Sequence, residues 1–280
     1  MPWPNSLWHL DGHHSLIRWK FVVHGCIDWF SRRIIFLRCS TNNLAQTVLN
    51  LFVDSIESDE GLWPSRVRVD FGVENVMVCD AMVDKWGQGR GSFIAGPSTR
   101  NQRIERLWCD VFRNVLHIFY YTFYAMEDDL LLNLNDSVDI LFALHLTFLP
   151  RINNSLEEYT QLFNDHPIGT EKNWTPNQMW ANGMLHPENP LARGNIEEDN
   201  LETDYLGIDP NGPSPFEDSP NDISVPNVVI EGVEMGQFKR LALERIDPLA
   251  NSSDMRVDIY LLFKEFILEK ISDVYSDPEN

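Results

Sequence analysis

Val67-Arg68-Val69-Asp70-Phe71-Gly72-Val73-Glu74-Asn75 is the stretch on which the fold turns. Arg66 to Val69 read as a short strand that delivers Asp70 at its end, and the turn after it holds a glycine. Working outward, 58 residues separate Asp70 from Asp11, in Trp8-His9-Leu10-Asp11-Gly12. Another 34 separate it from Glu105, in Asn101-Gln102-Arg103-Ile104-Glu105-Arg106-Leu107-Trp108. Asp11 heads a β-rich stretch, and Glu105 lies near the start of a long helical segment. Two carboxylates from strands and a third from a helix can converge on a pair of Mg²⁺ or Mn²⁺ ions. Hard cations take oxygen ligands. Two of them about 3.5–4 Å apart clamp the attacking and leaving oxygens of a phosphoryl transfer.

The surrounding sequence supplies the frame. Residues 15–23 and 33–38 are β-branched and aromatic, with a turn around Trp29-Phe30-Ser31-Arg32, and read as an antiparallel series. Ser40-Thr41-Asn42 offers helix-capping chemistry. Leu44, Val48, Leu51, Phe52 and Ser55 then recur at helical spacing up to Gly61-Leu62-Trp63-Pro64. Residues 74–86 predict a second helix, ended by Gly87-Gln88-Gly89-Arg90-Gly91, and 92–96 a fifth strand. Ile104, Leu107, Trp108, Val111, Phe112, Val115 and Phe119 form one apolar stripe, with Glu105 at its edge. From there a side chain can point into a cleft while its helix stays packed. Residues 138–182 read as further helices. The pattern predicts an α/β fold with a mixed sheet flanked by helices.

The chain of 280 residues is 43% hydrophobic, enough to bury a sizeable core. Cys26, Cys39, Cys79 and Cys109 are scattered, which excludes a zinc ribbon and fits a reducing compartment. No apolar run is long enough for a membrane span. From Pro187 to Pro226 the sequence turns to Pro, Asn, Gly, Ser and acids and reads as an acidic disordered linker. Within the last segment, 227–280, a short strand is expected at 227–235. An amphipathic helix is expected at 255–272, docked on the core or on a partner. Residues 187–280 hold 21 of the 42 acids and 7 of the 22 bases, a net of −14, which leaves −6 for the core at 1–186. That balance argues against strong sequence-independent DNA affinity by this chain alone.

The chain resembles the integrase catalytic cores of retroviruses and retrotransposons, with related transposases. Asp11, Asp70 and Glu105 match the family's Asp, Asp and Glu in order and nearly in spacing. Cys26-Ile27-Asp28-Trp29-Phe30-Ser31-Arg32 is similar to the segment joining the family's second and third strands, and Asp70 to Asn75 to its Asp-x-Gly-x-Glu-Asn turn. Asn164-Asp165-His166-Pro167 and Trp174-Thr175-Pro176-Asn177-Gln178-Met179-Trp180 resemble its closing motifs, so that the likeness spans residues 5–182. It implies a ribonuclease-H-like fold with five strands and DNA integration by metal-dependent strand transfer and 3′-end processing. Asp11, Asp70 and Glu105 would be both catalytic residues and ligands of two Mg²⁺ or Mn²⁺ ions. DNA would be the partner, a homo-oligomer the working form and the nucleus its place. No membrane or nucleotide cofactor is expected. Two rivals stand beside this: a domesticated, inactive integrase-derived interaction module, and a ribonuclease-H-like nuclease that cuts without joining. The family's zinc-binding domain normally precedes the core; it has no counterpart here, and the chain is expected to begin inside a larger ancestral protein.

Other residues carry further expectations. Arg100, Arg103, Arg106 and Arg113 form the dense basic patch and are read as DNA-backbone contacts, against a solvated face paired with Asp110. Glu74 and Asn75 are read as supports of Asp70, with a plain helix start as the equal alternative. His9 and His13 have zinc-ligand spacing on a helix, but the segment reads as extended. Phe119 to Tyr124 read as a packed helix end or a subunit contact rather than a base-stacking platform. Gly87 to Gly91 lack the Lys-Ser/Thr ending of a phosphate loop and are placed by the resemblance in a mobile loop over DNA.

Overall fold

β1 (Trp8–His13), β2 (Val22–Asp28) and β3 (Ile34–Ser40) form an antiparallel meander, and β4 (Val67–Val69) and β5 (Phe93–Ala95) extend it in parallel. The spatial order is β3-β2-β1-β4-β5. This computed structural model describes residues 3–59, 61–96, 102–133, 138–189 and 235–276. The five-stranded mixed sheet expected from the sequence is thus the one found.

Helices cover both faces. α1 (Ala45–Ser58) and α2 (Val76–Trp86) lie on one, where Val48, Phe52, Val78 and Met82 pack on Trp8 and Leu10. α3 (Gln102–Val111), a π-helical turn at Phe112–Leu116 and α4 (His117–Asp128) run on without a break along the other. There they pack with α5 (Val138–Asn164) against Val23, Ile27, Leu37 and Cys39. α6 (Pro176–Leu185) starts with a capping box in which Thr175 and Gln178 satisfy each other's backbone N–H. α7 (Met235–Arg245) and α8 (Val257–Ser276) follow, and α8 lies along α5 with Tyr260, Phe263 and Ile267 buried. The amphipathic helix expected at 255–272 is α8, docked on its own chain.

The edge strand β3 is closed by side chains. Asn153 and Asn164, three turns apart on α5, each pair with both backbone groups of one strand residue. Asn164 accepts from Ile34 N at 2.8 Å and donates to Ile34 O at 3.0 Å; Asn153 does the same at Cys39, at 2.8 and 3.1 Å. These bonds occupy donors and acceptors that would otherwise invite another strand.

Several expectations need correction. The strand predicted over 15–23 begins only at Val22; Ile17–Trp19 form a 3-10 turn closed by Lys20 at φ 61°. Trp19 drives this, because its buried indole donates to Glu127 on α4 at 2.7 Å and its ring lies edge-on to Phe123 and Tyr124. α1 is not capped by Ser40 or Thr41. Its N-cap is Leu44, and Asn42 Oδ1 instead accepts from Leu44 N and Thr47 Oγ1. Of the strand predicted at 227–235, Met235 opens helix α7 and 227–234 lie outside the described residues. Of the acidic stretch at 187–226, 190–226 also lie outside them. Asn189 is buried and donates to Gly183 O at 2.9 Å.

Candidate active site

Parallel pairing sets the two aspartates side by side. β1 and β4 run in the register Trp8↔Val67 and His9↔Arg68. Continued by two residues, it brings Asp11 level with Asp70, on strands about 4.8 Å apart. Side chains alternate along a strand, so Trp8, Leu10, Val67 and Val69 enter the core under α1 and α2 while Asp11 and Asp70 take the opposite face. That face is covered by α3. Ile104, Leu107 and Trp108 bury themselves there, and Glu105 stays half-exposed beside them.

Asp11 is held at both oxygens. Oδ2 accepts from the Trp108 indole Nε1 at 2.9 Å and Oδ1 from Gly12 N at 2.9 Å. The indole reaches Asp11 through a gap in β2. Gly25 stands directly opposite Asp11, and a Cβ there would lie 2.5 Å from Trp108 Cη2 and 2.8 Å from Leu37 Cδ2. His13 stacks on the indole at 5.1 Å. Asp70 Oδ1 accepts from the Nδ2 of buried Asn75 at 3.3 Å. Glu74 folds back over Gly72, which has no side chain to obstruct it.

Electrostatics join the three acids. Burial pushes the Asp11 carboxyl up to about 7, and the charge of Asp70 pushes the same way. The bonds from Trp108 and Gly12 pull it back, while Glu105 adds a further upward push. Burial also raises Asp70, opposed by the neighbouring imidazole of His14. Glu74 is raised by burial and then by Asp70. Carboxylates that raise one another's pKa are a group short of positive charge, and a bound cation reverses that logic. The donor set, all carboxylate oxygen, therefore fits a hard divalent ion. As the side chains stand, no three His, Cys, Asp or Glu among the described residues are gathered closely enough to hold a metal.

The other predicted residues separate. Asn75 touches Asp70, while Glu74 bears on it through charge. Arg103 is half-buried, and its guanidinium lies over the Trp29 ring at 4.3 Å. Arg106 and Arg113 are open to solvent, and Arg100 lies outside the described residues. The zinc pairing of His9 and His13 is not formed. Both lie on extended β1, four residues and about 13 Å apart. His9 is buried with no hydrogen-bond partner at either ring nitrogen. Of the aromatic run, Phe119 and Phe123 are core residues and Tyr121 is exposed.

The glycine loop at Gly87 to Gly91 belongs elsewhere than over the acids. Arg90 donates to Ser65 O at 2.8 Å and Ser65 Oγ at 3.0 Å and covers Trp86. Ser65 precedes β4 and Asp70 follows it, so this loop lies at the opposite end of the strand.

Two features that position the site were missed in the sequence: the Trp108 bond to Asp11 and the Gly25 gap. A glycine inside the apolar run Val22 to Asp28, and a Trp one helical turn after Glu105, were the signals available.

No helix among the described residues is long and apolar enough to cross a membrane. No curated protein matches the chain. The family model described as integrase core domain matches residues 1–192. With its mixed sheet flanked by helices and its acids on adjacent parallel strands, the chain belongs to the integrase core domain family, whose members are polynucleotidyl transferases acting on DNA.

Proposed function

We propose that this chain is a metal-dependent core for DNA strand transfer and 3′-end processing, with Asp11, Asp70 and Glu105 as its catalytic ligands. One observation carries the reading. The three acids come from β1, the end of β4 and α3, and the charges of Asp70 and Glu105 both push the Asp11 carboxyl upward. Two divalent ions bound there would offset the charge that builds on the attacking and leaving oxygens of the phosphate.

The protein's own part is placement. Asp11 is fixed by two donors, Asp70 is braced by Asn75, and Glu105 rides on a helix seated in the core. Arg106 and Arg113, exposed on the same helical rod, are the proposed DNA-backbone contacts. Self-association is proposed because integration generally needs several protomers, and nuclear location is inferred from the DNA substrate alone.

Calorimetric titration of the full chain with Mn²⁺ tests this, wild type against Asp70→Asn. Binding by the wild type and its loss in the variant is the expected result. Retained binding in the variant would remove Asp70 from the site. Product analysis with a labelled DNA end then separates joining from cutting, the property of the nuclease rival. The inactive-module reading makes the opposite prediction for metal uptake. A well-folded wild type that takes up no Mn²⁺ with or without DNA would support it.

A further inference from the structure

We propose that Trp108 is a positioning residue of this centre: its indole N–H holds the Asp11 carboxylate for cation binding and sets Glu105 against it. The inference rests on the reading of Asp11 as a metal ligand and goes beyond it to a residue outside the acidic triad. A tryptophan on the buried stripe of a helix would ordinarily serve as packing alone. Here the ring is aimed. Its Nε1 lies 2.9 Å from Asp11 Oδ2, while Gly12 N lies 2.9 Å from Oδ1. Each carboxylate oxygen thus carries one donor and keeps lone-pair capacity free. The carboxylate cannot rotate without losing both bonds, so its orientation is settled before a cation arrives.

The ring itself has little freedom. Gly25 leaves it a gap in β2, Leu37 flanks that gap, and His13 stacks on the indole at 18°. Because Trp108 lies one turn beyond Glu105, the two side chains share a helix face. The bond from Trp108 to β1 therefore also fixes how far along the strand α3 sits, and with it the approach of Glu105 to Asp11. The buried Ile104, Leu107 and Val111 seat α3 on the sheet, and the directed hydrogen bond adds a fixed point beside Asp11.

The test is the Mn²⁺ affinity of the full chain in four forms: wild type, Asp11→Asn, Trp108→Phe and Gly25→Ala. Thermal melts without metal run alongside. Trp108→Phe keeps an aromatic ring and loses the N–H, so packing is largely preserved. Donors behind a metal-bound ligand are worth about 10–100-fold in metal affinity, and a weakening of that order in a still-cooperative chain is expected. Gly25→Ala keeps the N–H and displaces the ring, and it is expected to weaken Mn²⁺ as well. If Trp108→Phe fails to fold, Gly25→Ala carries the test. Wild-type affinity in whichever of these variants folds, with affinity lost in Asp11→Asn, overturns the proposal alone. Absence of Mn²⁺ binding in the wild type, or unchanged binding in Asp11→Asn, overturns the ligand reading and this proposal together.

Discussion

Gly25→Ala probes how the sheet admits α3. The added Cβ would stand 2.5 Å from Trp108 Cη2, 3.1 Å from Trp108 Cζ2 and 2.8 Å from Leu37 Cδ2. Ordinary contact between carbons needs about 3.5–4.0 Å, so the indole must give way by about 1 Å. It is pinned at its N–H by Asp11 and stacked on by His13, so it cannot give way alone. Overpacking of this kind costs about 1–3 kcal/mol. Alanine in place of glycine inside a strand returns about 0.5–1 kcal/mol by restricting the unfolded chain. The net expectation is a loss of about 1–2 kcal/mol. At roughly 2–4 °C per kcal/mol for chains of about this size, the melting temperature falls by about 2–8 °C. Trp108→Phe lacks the outer ring carbons that collide. The cost of Gly25→Ala should therefore shrink by about 1 kcal/mol in that background. Urea titration followed by circular dichroism gives all four corners of the cycle. A Gly25→Ala chain as stable as wild type, with the same change in both backgrounds, would refute the packing argument.

Two further outcomes are expected. Burial lowers His24 and His145 to about 4. A histidine with a depressed folded pKa contributes stability above its unfolded value and loses it as the pH falls from about 6.5 to 4. Asp11 and Asp28, raised by burial to about 7 and about 6, act in the opposite sense as the pH falls. In His145→Gln the amide can still donate to Trp19 O, and the titration is gone. Denaturation at pH 7 and 4.5 should therefore show the variant losing about 2–3 kcal/mol less than wild type; equal losses would exclude His145 from the acid response. Asn164→Ala should cost about 2–3 kcal/mol, because it leaves a buried N–H and C=O of Ile34 unpaired. A change below about 0.5 kcal/mol in urea titration, the range of ordinary surface substitutions, would show that water replaces both bonds.

Much of the frame was legible in the residues. β-branched runs broken by Gly and Pro marked the sheet, and apolar stripes at helical spacing marked α1, α3 and α8, because those patterns are local. The three acids were legible as a set, since the flanking motifs fixed which of 42 acidic residues to compare. Errors came where distant contacts overrode local preference. Residues 15–21 carry strand-forming side chains, yet Trp19 bonds to Glu127 and folds the chain into a turn. The glycine loop before β5 was placed by the resemblance in a mobile loop over DNA at the active site, but parallel topology sends it to the far end of β4 from Asp70. The stacking of Arg103, read as a DNA-backbone contact, on Trp29 was likewise invisible in the local pattern.

The sequence by itself determined the kinds of elements, their order and the chemistry of the candidate ligands, because each follows from nearby residues and their spacing. Only the tertiary structure decided that Asp11 lies beside Asp70, that Gly25 opens a gap for Trp108, and that Asn153 and Asn164 close the edge of β3. Those facts depend on strand register and helix packing across long separations in the chain. There, burial and hydrogen-bond geometry choose among arrangements that the local pattern leaves equal.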